Sequence, residues 1–168
     1  MKTKLRRVGR FLVPVLIAVA IPILLARCTP QWLPNSNGFI HLTHLGDIKL
    51  YDLETEKNKQ ITRVKTPIAG VAVWPTGDRV AVVRFTDAEK QHVQVAVYDL
   101  TGKELHVSPA HKAEGLKVDN GINSMINTGV SPDGKHLITF GLSNQSAIAY
   151  NFETKEFRQY TSVMPISM

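Results

Sequence analysis

Histidine is the residue type of this sequence best suited to metal chemistry, but its six copies are not spaced as ligands. His41 and His44 lie three positions apart, so on one strand their side chains point to opposite faces and cannot share an ion. The other four stand in separate segments: His92, His106, His111 and His136. No H-x-x-x-H or H-E-x-x-H motif occurs, and the chain has one cysteine. We therefore expect no metal site and no cofactor.

Catalytic motifs are also missing from the sequence. Residues 141–145, GLSNQ, lack the final glycine of a nucleophile elbow, and there is no P-loop or G-x-G-x-x-G. Residues 119–123, DNGIN, lack the alternating carboxylates of a calcium loop. Turn chemistry accounts for the scattered aspartates without a general-acid role: Asp47, Asp52, Asp78, Asp99 and Asp133. The sequence predicts a protein that is not an enzyme.

One stretch, Ser108–Gly121, is longer than the connections on either side of it. Long loops on a rigid scaffold are where binding residues concentrate, although an ordinary mobile loop is the alternative reading. The residues that we predict as a contact surface are His111, Lys112, Lys117 and Asp119.

The elements that would carry this loop are strands. Beyond Pro34 the chain consists of short segments rich in Val, Ile and Tyr, separated by Gly, Pro, Asn and Asp, without helical periodicity.

Two patterns recur in these segments. A Pro/Gly turn precedes an apolar strand at residues 34–38, 74–78 and 131–135, with Gly38, Gly77 and Gly134 as turn glycines. Tyr-Asp/Asn ends a later strand at residues 51–52, 98–99 and 150–151.

The spacing of these patterns predicts a β-propeller. Tyrosine copies lie 47 and 52 positions apart, close to the ~40–50 residues of a four-stranded blade. The second unit then has strands at Ala69–Trp74, Arg79–Phe85, His92–Tyr98 and Glu104–Val107. Its middle strands are nearly all apolar, as expected between neighbouring blades, whereas the last strand of each unit is polar, as expected at a sheet edge.

At the residues SPDGKHLITF and WPTGDRVAVV the chain resembles the WD-repeat-like propellers of the TolB type, over roughly residues 35–161. Tyr-Asp stands where a WD repeat has Trp-Asp, and the upstream Gly-His is missing. The resemblance implies a propeller that binds proteins or small ligands on one face. Some relatives in this group are enzymes, so the resemblance does not fix a function.

Three units are fewer than the ~4–8 blades of a closed propeller. We expect an all-β fold, an incomplete, open β-propeller of about three four-stranded blades preceded by an N-terminal hydrophobic helix, with a curled β-sandwich as the alternative. We expect the first unit to lack its innermost strand, because only Gln31–Leu33 precedes its turn. The expected divisions are a signal or anchor segment (1–28), a linker (29–37), a partial first blade (38–64), a second blade (68–107), a long loop (108–121), a third blade (122–161) and a tail (162–168).

Charge and hydropathy place the chain at a membrane. Six of its 20 cations lie in the first 27 residues, and the remaining 14 face 14 acids, so the later part offers no basic surface for nucleic acid. Residues 11–26 are an uncharged apolar run after a basic segment, which predicts an anchor with the β domain outside the cytoplasm, in a bacterial cell envelope. Cys28 resembles the acylated cysteine of a lipoprotein box, from which Arg27 departs. A cleaved signal is the alternative.

These observations predict a membrane-anchored or exported binding module without catalytic activity. Its uncovered end blades would present apolar faces to a protein partner or to a second copy of the chain. Two alternatives remain open at the level of the sequence. One is a remnant or subunit of a propeller enzyme of the lactonase or hydrolase kind, and the other is a truncated, inactive copy.

Overall fold

The computed structural model describes residues 30–43, 46–87, 92–113, 128–141 and 146–160. All the regular structure in these ranges is β-strand. The predicted N-terminal helix over residues 11–26 and the predicted lipidation site Cys28 lie outside the described residues. Within the described ranges, no helix has the length and apolarity needed to cross a membrane.

The strands form three antiparallel sheets in chain order, each built from consecutive strands. The first sheet contains β1 (Gln31–Trp32), β2 (Gly38–Leu42), β3 (Asp47–Asp52) and β4 (Lys57–Arg63). The second contains β5 (Ile68–Val73), β6 (Arg79–Phe85), β7 (His92–Asp99) and β8 (Glu104–Val107), with β9 (His111–Lys112) also paired to β7. The third contains β10 (Thr128–Val130), β11 (His136–Gly141), β12 (Ser146–Asn151) and β13 (Glu156–Tyr160). The expectation of an all-β chain with three four-stranded sheets is confirmed.

Two hydrophobic clusters hold the three sheets in a row. The first interface joins sheets one and two, and its core residues include Ile40, Ile48, Val80 and Tyr98. The second interface joins sheets two and three, and its core residues are Ala69, Trp74, Ala81, Val83, Phe85, Val93, Val95, Val97, Ala113, Leu137, Ile148 and Tyr150. Neither cluster joins sheet one to sheet three. This arrangement differs from the alternative β-sandwich, which has one core between two sheets.

The alternation of side chains along a strand explains how the middle sheet packs against both neighbouring sheets. Successive side chains of a strand point to opposite faces. In β6, Val80 and Val82 therefore belong to the first interface, whereas Ala81 and Val83 belong to the second. The solid apolar run of this strand, which alternation alone would not produce, follows from burial on both faces.

The first strands of the sheets approach one another closely, as the inner strands of propeller blades do. A Cβ atom built on Gly70 of β5 would lie 1.8 Å from the Thr128 hydroxyl of β10. Thr128 in turn hydrogen-bonds Thr139 of β11 at 2.8 Å, so its side chain is fixed in this position. Glycine at position 70 is thus required for the packing of sheet three on sheet two.

Two expectations about the first unit are wrong. Its innermost strand is present as the short β1, in which Trp32 pairs with Phe39 of β2. The turn residue equivalent to Gly77 (φ 74°) and Gly134 (φ 72°) is Ser36 (φ 60°), because the Ser36 amide donates to the Leu33 carbonyl as the Gly77 amide does to Trp74. Gly38 instead begins β2 and pairs with Asp52. The sequence signal failed because the turn position holds a serine, and the glycine stands two positions later, where the other units have Arg79 and His136.

The repeated Tyr-Asp/Asn motif closes the turn after the third strand of each sheet. The side-chain oxygen Oδ1 accepts backbone N–H groups two to four residues ahead at Asp52, Asp99 and Asn151, over 2.8–3.1 Å. The hydrogen bond from the Thr55 amide lowers the pKa of Asp52. The pKa of Asp99 is lowered mainly by the hydrogen bond from the Thr101 hydroxyl, and further by the turn amides. Asp47 departs from the expected turn role, since it lies in β3, is 7% exposed and pairs with Arg63 at 2.8 Å.

Candidate functional site

The predicted contact segment is only partly a loop. His111 and Lys112 form β9, in which His111 pairs with Val93 and Lys112 with His92 of β7. Lys117 and Asp119 lie outside the described residues. The fourth strand of sheet two therefore continues from β8 into β9, interrupted at Ser108–Ala110.

Ser108 maintains the sheet across this interruption. Its amide donates to the Val95 carbonyl at 2.8 Å, and its hydroxyl accepts the Val95 N–H at 2.9 Å. The hydroxyl therefore takes the place of a strand carbonyl where Pro109 breaks the pairing. Ser108 is 2% exposed, so no solvent is available to replace this bond.

The ring of His111 packs into the second interface. The ring stacks on Phe157 of β13 at 4.6 Å between centroids and 9° between planes. Burial, and to a smaller degree the charge of His92, lower the pKa of His111. Nδ1 of His92 itself lies 2.8 Å from the carboxylate oxygen Oδ2 of Asp87. As a contact residue for a partner, His111 stays a prediction, and its described surroundings are those of a packing residue.

A second histidine, which sequence reasoning left unassigned, crosses the same interface. Nε2 of His106 in β8 lies 2.8 Å from the Tyr150 hydroxyl of β12, and the two rings are 5.8 Å apart. Burial and the neighbouring Lys155 lower the pKa of His106. In the sequence, the sign of this contact is the tyrosine repeat, since Tyr150 belongs to the third copy of the Tyr-Asp/Asn pattern.

In the second and third units, the tyrosine of the repeat points toward the preceding sheet. Tyr98 lies in the first interface and is 5% exposed, and Tyr150 lies in the second and is fully buried. Tyr51 occupies the same position in sheet one, where the described chain supplies no preceding sheet. It stacks on Phe39 at 5.2 Å, and Trp32 packs edge-on against Phe39 at 5.4 Å. We call this aromatic surface, formed by Trp32, Phe39, His41 and Tyr51, the leading face.

The opposite end of the row is also uncovered. In β11, Leu137 and Thr139 point into the second interface, so Ile138 and Phe140 point away from it, with 38% and 45% of their surfaces exposed. A cavity of about 300 Å³ lies on this side, lined by His136, Ala149, Asn151, Thr154, Glu156, Arg158 and Tyr160. We call the surface formed by Ile138, Phe140, Arg158 and Tyr160 the trailing face.

No group of three or more His, Cys, Asp or Glu side chains in the described ranges is arranged to hold a metal ion. The described aspartates at the strand ends hold turns together. The clearest surface features of the described chain are accordingly its two apolar end faces.

Comparison with solved structures agrees with this geometry. The chain superposes on TolB from Acinetobacter baumannii with a TM-score of 0.54 and 19% sequence identity, over 80% of this chain. The three sheets have a TolB-type propeller fold. The match spans 32% of the TolB chain, so this chain corresponds to about a third of that protein's length.

Sequence comparisons add nothing beyond the fold. No protein-family model matches the chain. No curated protein matches it either. The WD-repeat part of the resemblance therefore stays a prediction, while the TolB-type fold rests on the structural match.

Proposed function

We propose that this chain is a non-catalytic propeller module that binds a protein partner through its leading and trailing faces. The observation that carries the proposal is the position of Tyr51. Its equivalents Tyr98 and Tyr150 are buried against the preceding sheet, whereas Tyr51 belongs to neither core cluster. The leading face is built like one half of an interface between two blades. It is therefore suited to contact with another sheet of the same kind.

The trailing face supports the same proposal from the other end. Ile138 and Phe140 occupy the β11 positions that correspond to Ala81 and Val83 in β6, which are buried against sheet three. Exposed apolar area of this kind on a soluble surface commonly marks a contact region. A protein partner with a blade-like sheet, or a second copy of this chain, would cover it.

The proposed location is the bacterial cell envelope, with residues 11–26 as a membrane anchor and the sheets outside the cytoplasm. This part rests on the basic segment and the apolar run of the sequence. Lys112, together with Lys117 and Asp119, stays proposed as an additional contact region. We also propose that the chain has no catalytic activity. In support, the carboxylates of Asp52 and Asp99 accept hydrogen bonds from turn amides, which is a structural role.

Site-specific photo-crosslinking of the full chain in membranes tests the proposal. A benzophenone side chain would replace Phe39 on the leading face or Phe140 on the trailing face. Leu105, which is 48% exposed and lies in the outer strand β8, provides a matched control. We expect adducts of defined mass from the two face positions only. Equal labelling at all three positions, or no adduct from either face, would contradict the proposal.

A further inference from the structure

A depression between sheets one and two, at the end where β4 leads into β5, is distinct from both end faces. Its volume is about 380 Å³. It is lined by Arg63, Val64, Lys65, Thr66, Arg84, Phe85, Thr86 and Gln94. Three of these side chains are cations and none is an acid, so an anion is the ligand that this lining favours.

The two guanidinium groups are held in place by the protein. Nε of Arg63 pairs with Asp47 Oδ1 at 2.8 Å. Arg84 donates to the Tyr98 hydroxyl at 3.1 Å and to Gln94 at 3.4 Å, and its side chain is 23% exposed. Because a guanidinium carries five N–H donors, both groups retain donors for a ligand. Fixed donors bind with a smaller loss of conformational entropy than freely rotating ones.

Two adjacent residues contribute further hydrogen-bond donors. Lys65 is exposed and takes part in no ion pair within the described ranges. The Thr66 hydroxyl is buried and has no hydrogen-bond partner among the described residues. A buried hydroxyl without a partner destabilises the folded state, which a bound acceptor would relieve.

The carboxylates nearby offset the charges of the two arginines and leave that of the lysine. Asp47 is engaged with Arg63, and Glu104 lies 4.0 Å from Arg84. The charge of Lys65 is therefore without a paired acid in the described structure. A ligand with several anionic oxygens would accept hydrogen bonds from the lysine, the two guanidiniums and the hydroxyl at the same time.

We propose that this depression binds a phosphate-type oxyanion, carried either by a soluble phosphorylated molecule or by a phospholipid headgroup. Arginine forks match the geometry of phosphate oxygens, and hydrogen bonds between charged groups are stronger than neutral ones. This inference goes beyond the proposed function and does not depend on it, because none of the lining residues belongs to the leading or trailing face.

The test uses inorganic pyrophosphate as the probe and calorimetric titration of the full chain in nanodiscs of neutral phosphatidylcholine. We expect Lys65→Gln to weaken binding roughly tenfold, the size expected for one charge-assisted hydrogen bond. Lys57→Gln, at the opposite end of β4, removes the same charge and leaves binding unchanged. Equal affinities of the wild type and Lys65→Gln, or no binding of pyrophosphate by the wild type, would overturn the proposal.

Thr66→Val provides a second signature that a purely structural role would not give. The substitution keeps the side-chain volume and removes the unsatisfied hydroxyl. We expect the unliganded variant to be at least as stable to urea as the wild type, yet to bind pyrophosphate more weakly. A variant that binds as tightly as the wild type contradicts the role of Thr66 in the site.

Nanodiscs that contain anionic phosphatidylglycerol distinguish the two sources of the phosphate. If lipid headgroups occupy the depression, pyrophosphate binds more weakly in these nanodiscs than in neutral ones, beyond the loss that added salt reproduces. If the ligand is soluble, the two affinities agree after correction for salt. Either result supports the oxyanion site, provided that Lys65→Gln weakens the binding in neutral nanodiscs.

Discussion

The hydroxyl of Tyr150 lies 2.8 Å from Nε2 of His106, and this hydrogen bond spans the interface between the second and third sheets. Tyr150 is fully buried, and burial raises the pKa of its phenol, so the group stays protonated near neutral pH. The bond therefore joins two uncharged side chains within an apolar cluster. It holds the tyrosine of the third unit against the preceding sheet.

Tyr150→Phe should lower the free energy of unfolding by about 1–2 kcal/mol, because it removes this bond and leaves the imidazole without its partner. Tyr51→Phe is the matched control, since the same repeat position in sheet one has no preceding sheet in the described chain. We expect it to change stability by less than about 0.5 kcal/mol. Urea unfolding of both variants measures the difference. Equal losses at the two positions would contradict the assignment of Tyr150 to an interface that Tyr51 lacks.

The second interface should make stability depend on pH through two histidines. The folded pKa values of His106 and His111 lie below the ordinary value of 6.5, mainly because of burial. The unfolded chain therefore binds more protons than the folded chain as the pH falls below about 6.5. The corresponding stabilisation is fully present above that pH and is lost as the pH falls through the lowered folded values.

Urea unfolding at about pH 7.5 and pH 5.5 measures this loss. Groups other than the two imidazoles also surround the interface, notably Lys155 beside His106 and the His92–Asp87 pair near His111. The double replacement of His106 and His111 by asparagine should reduce the difference between the two pH values. The lowered carboxyl pKa values of Asp52 and Asp99 act only at more acidic pH, below 3.8. An unchanged pH difference in the double variant would contradict the account.

The contact between β5 and β10 predicts a sharp contrast between two glycines. Gly70→Ala places a methyl group 1.8 Å from the Thr128 hydroxyl, so the strands must separate. We expect a loss of about 1–3 kcal/mol, the usual cost of overpacking. Gly129→Ala, next to Thr128, meets no atom within 4 Å and should have little effect. Thermal unfolding of the two variants measures this contrast. Similar melting temperatures would contradict the close approach of the strands.

Ser108 should be essential to the fourth strand of sheet two. Ser108→Ala removes the acceptor of the buried Val95 amide and should cost about 1–3 kcal/mol. Thr101→Ala removes an exposed hydroxyl from the neighbouring turn and should cost much less. Amide hydrogen exchange provides a local measure, because Val95 should exchange faster in Ser108→Ala. Unchanged protection of Val95 would mean that the hydroxyl does not hold this strand.

The strands of the second unit could be predicted from local patterns alone. Arg79–Phe85 and Glu104–Val107 are β6 and β8 as expected, because turn residues and apolar runs mark both ends of each strand. The inner strand of the first unit was missed, since a two-residue strand has no detectable period. The registers between sheets were also invisible to local patterns.

The candidate site was harder to predict because its properties arise between sheets. His111 looked like a loop residue, and only the packing of β13 against β9 places its ring on Phe157. Ser108 has no local signature, since its role follows from the break at Pro109. Arg63 and Arg84 are 21 positions apart in the sequence, and the contact between two sheets is needed to bring them to one depression. The tyrosine repeat was visible, but its direction toward the preceding sheet was not.

Cysteine labelling under native conditions tests most directly the central claim that three sheets form a row with both ends uncovered. In a Cys28→Ser background, single cysteines would replace Phe39 and Ile138 on the end faces and Ala96 and Ala81 in the first and second interfaces. At low protein concentration we predict rapid reaction with a maleimide at positions 39 and 138, and protection at positions 81 and 96, which are fully buried. Protection at either end position under these conditions, or rapid labelling at either middle position, would contradict the account.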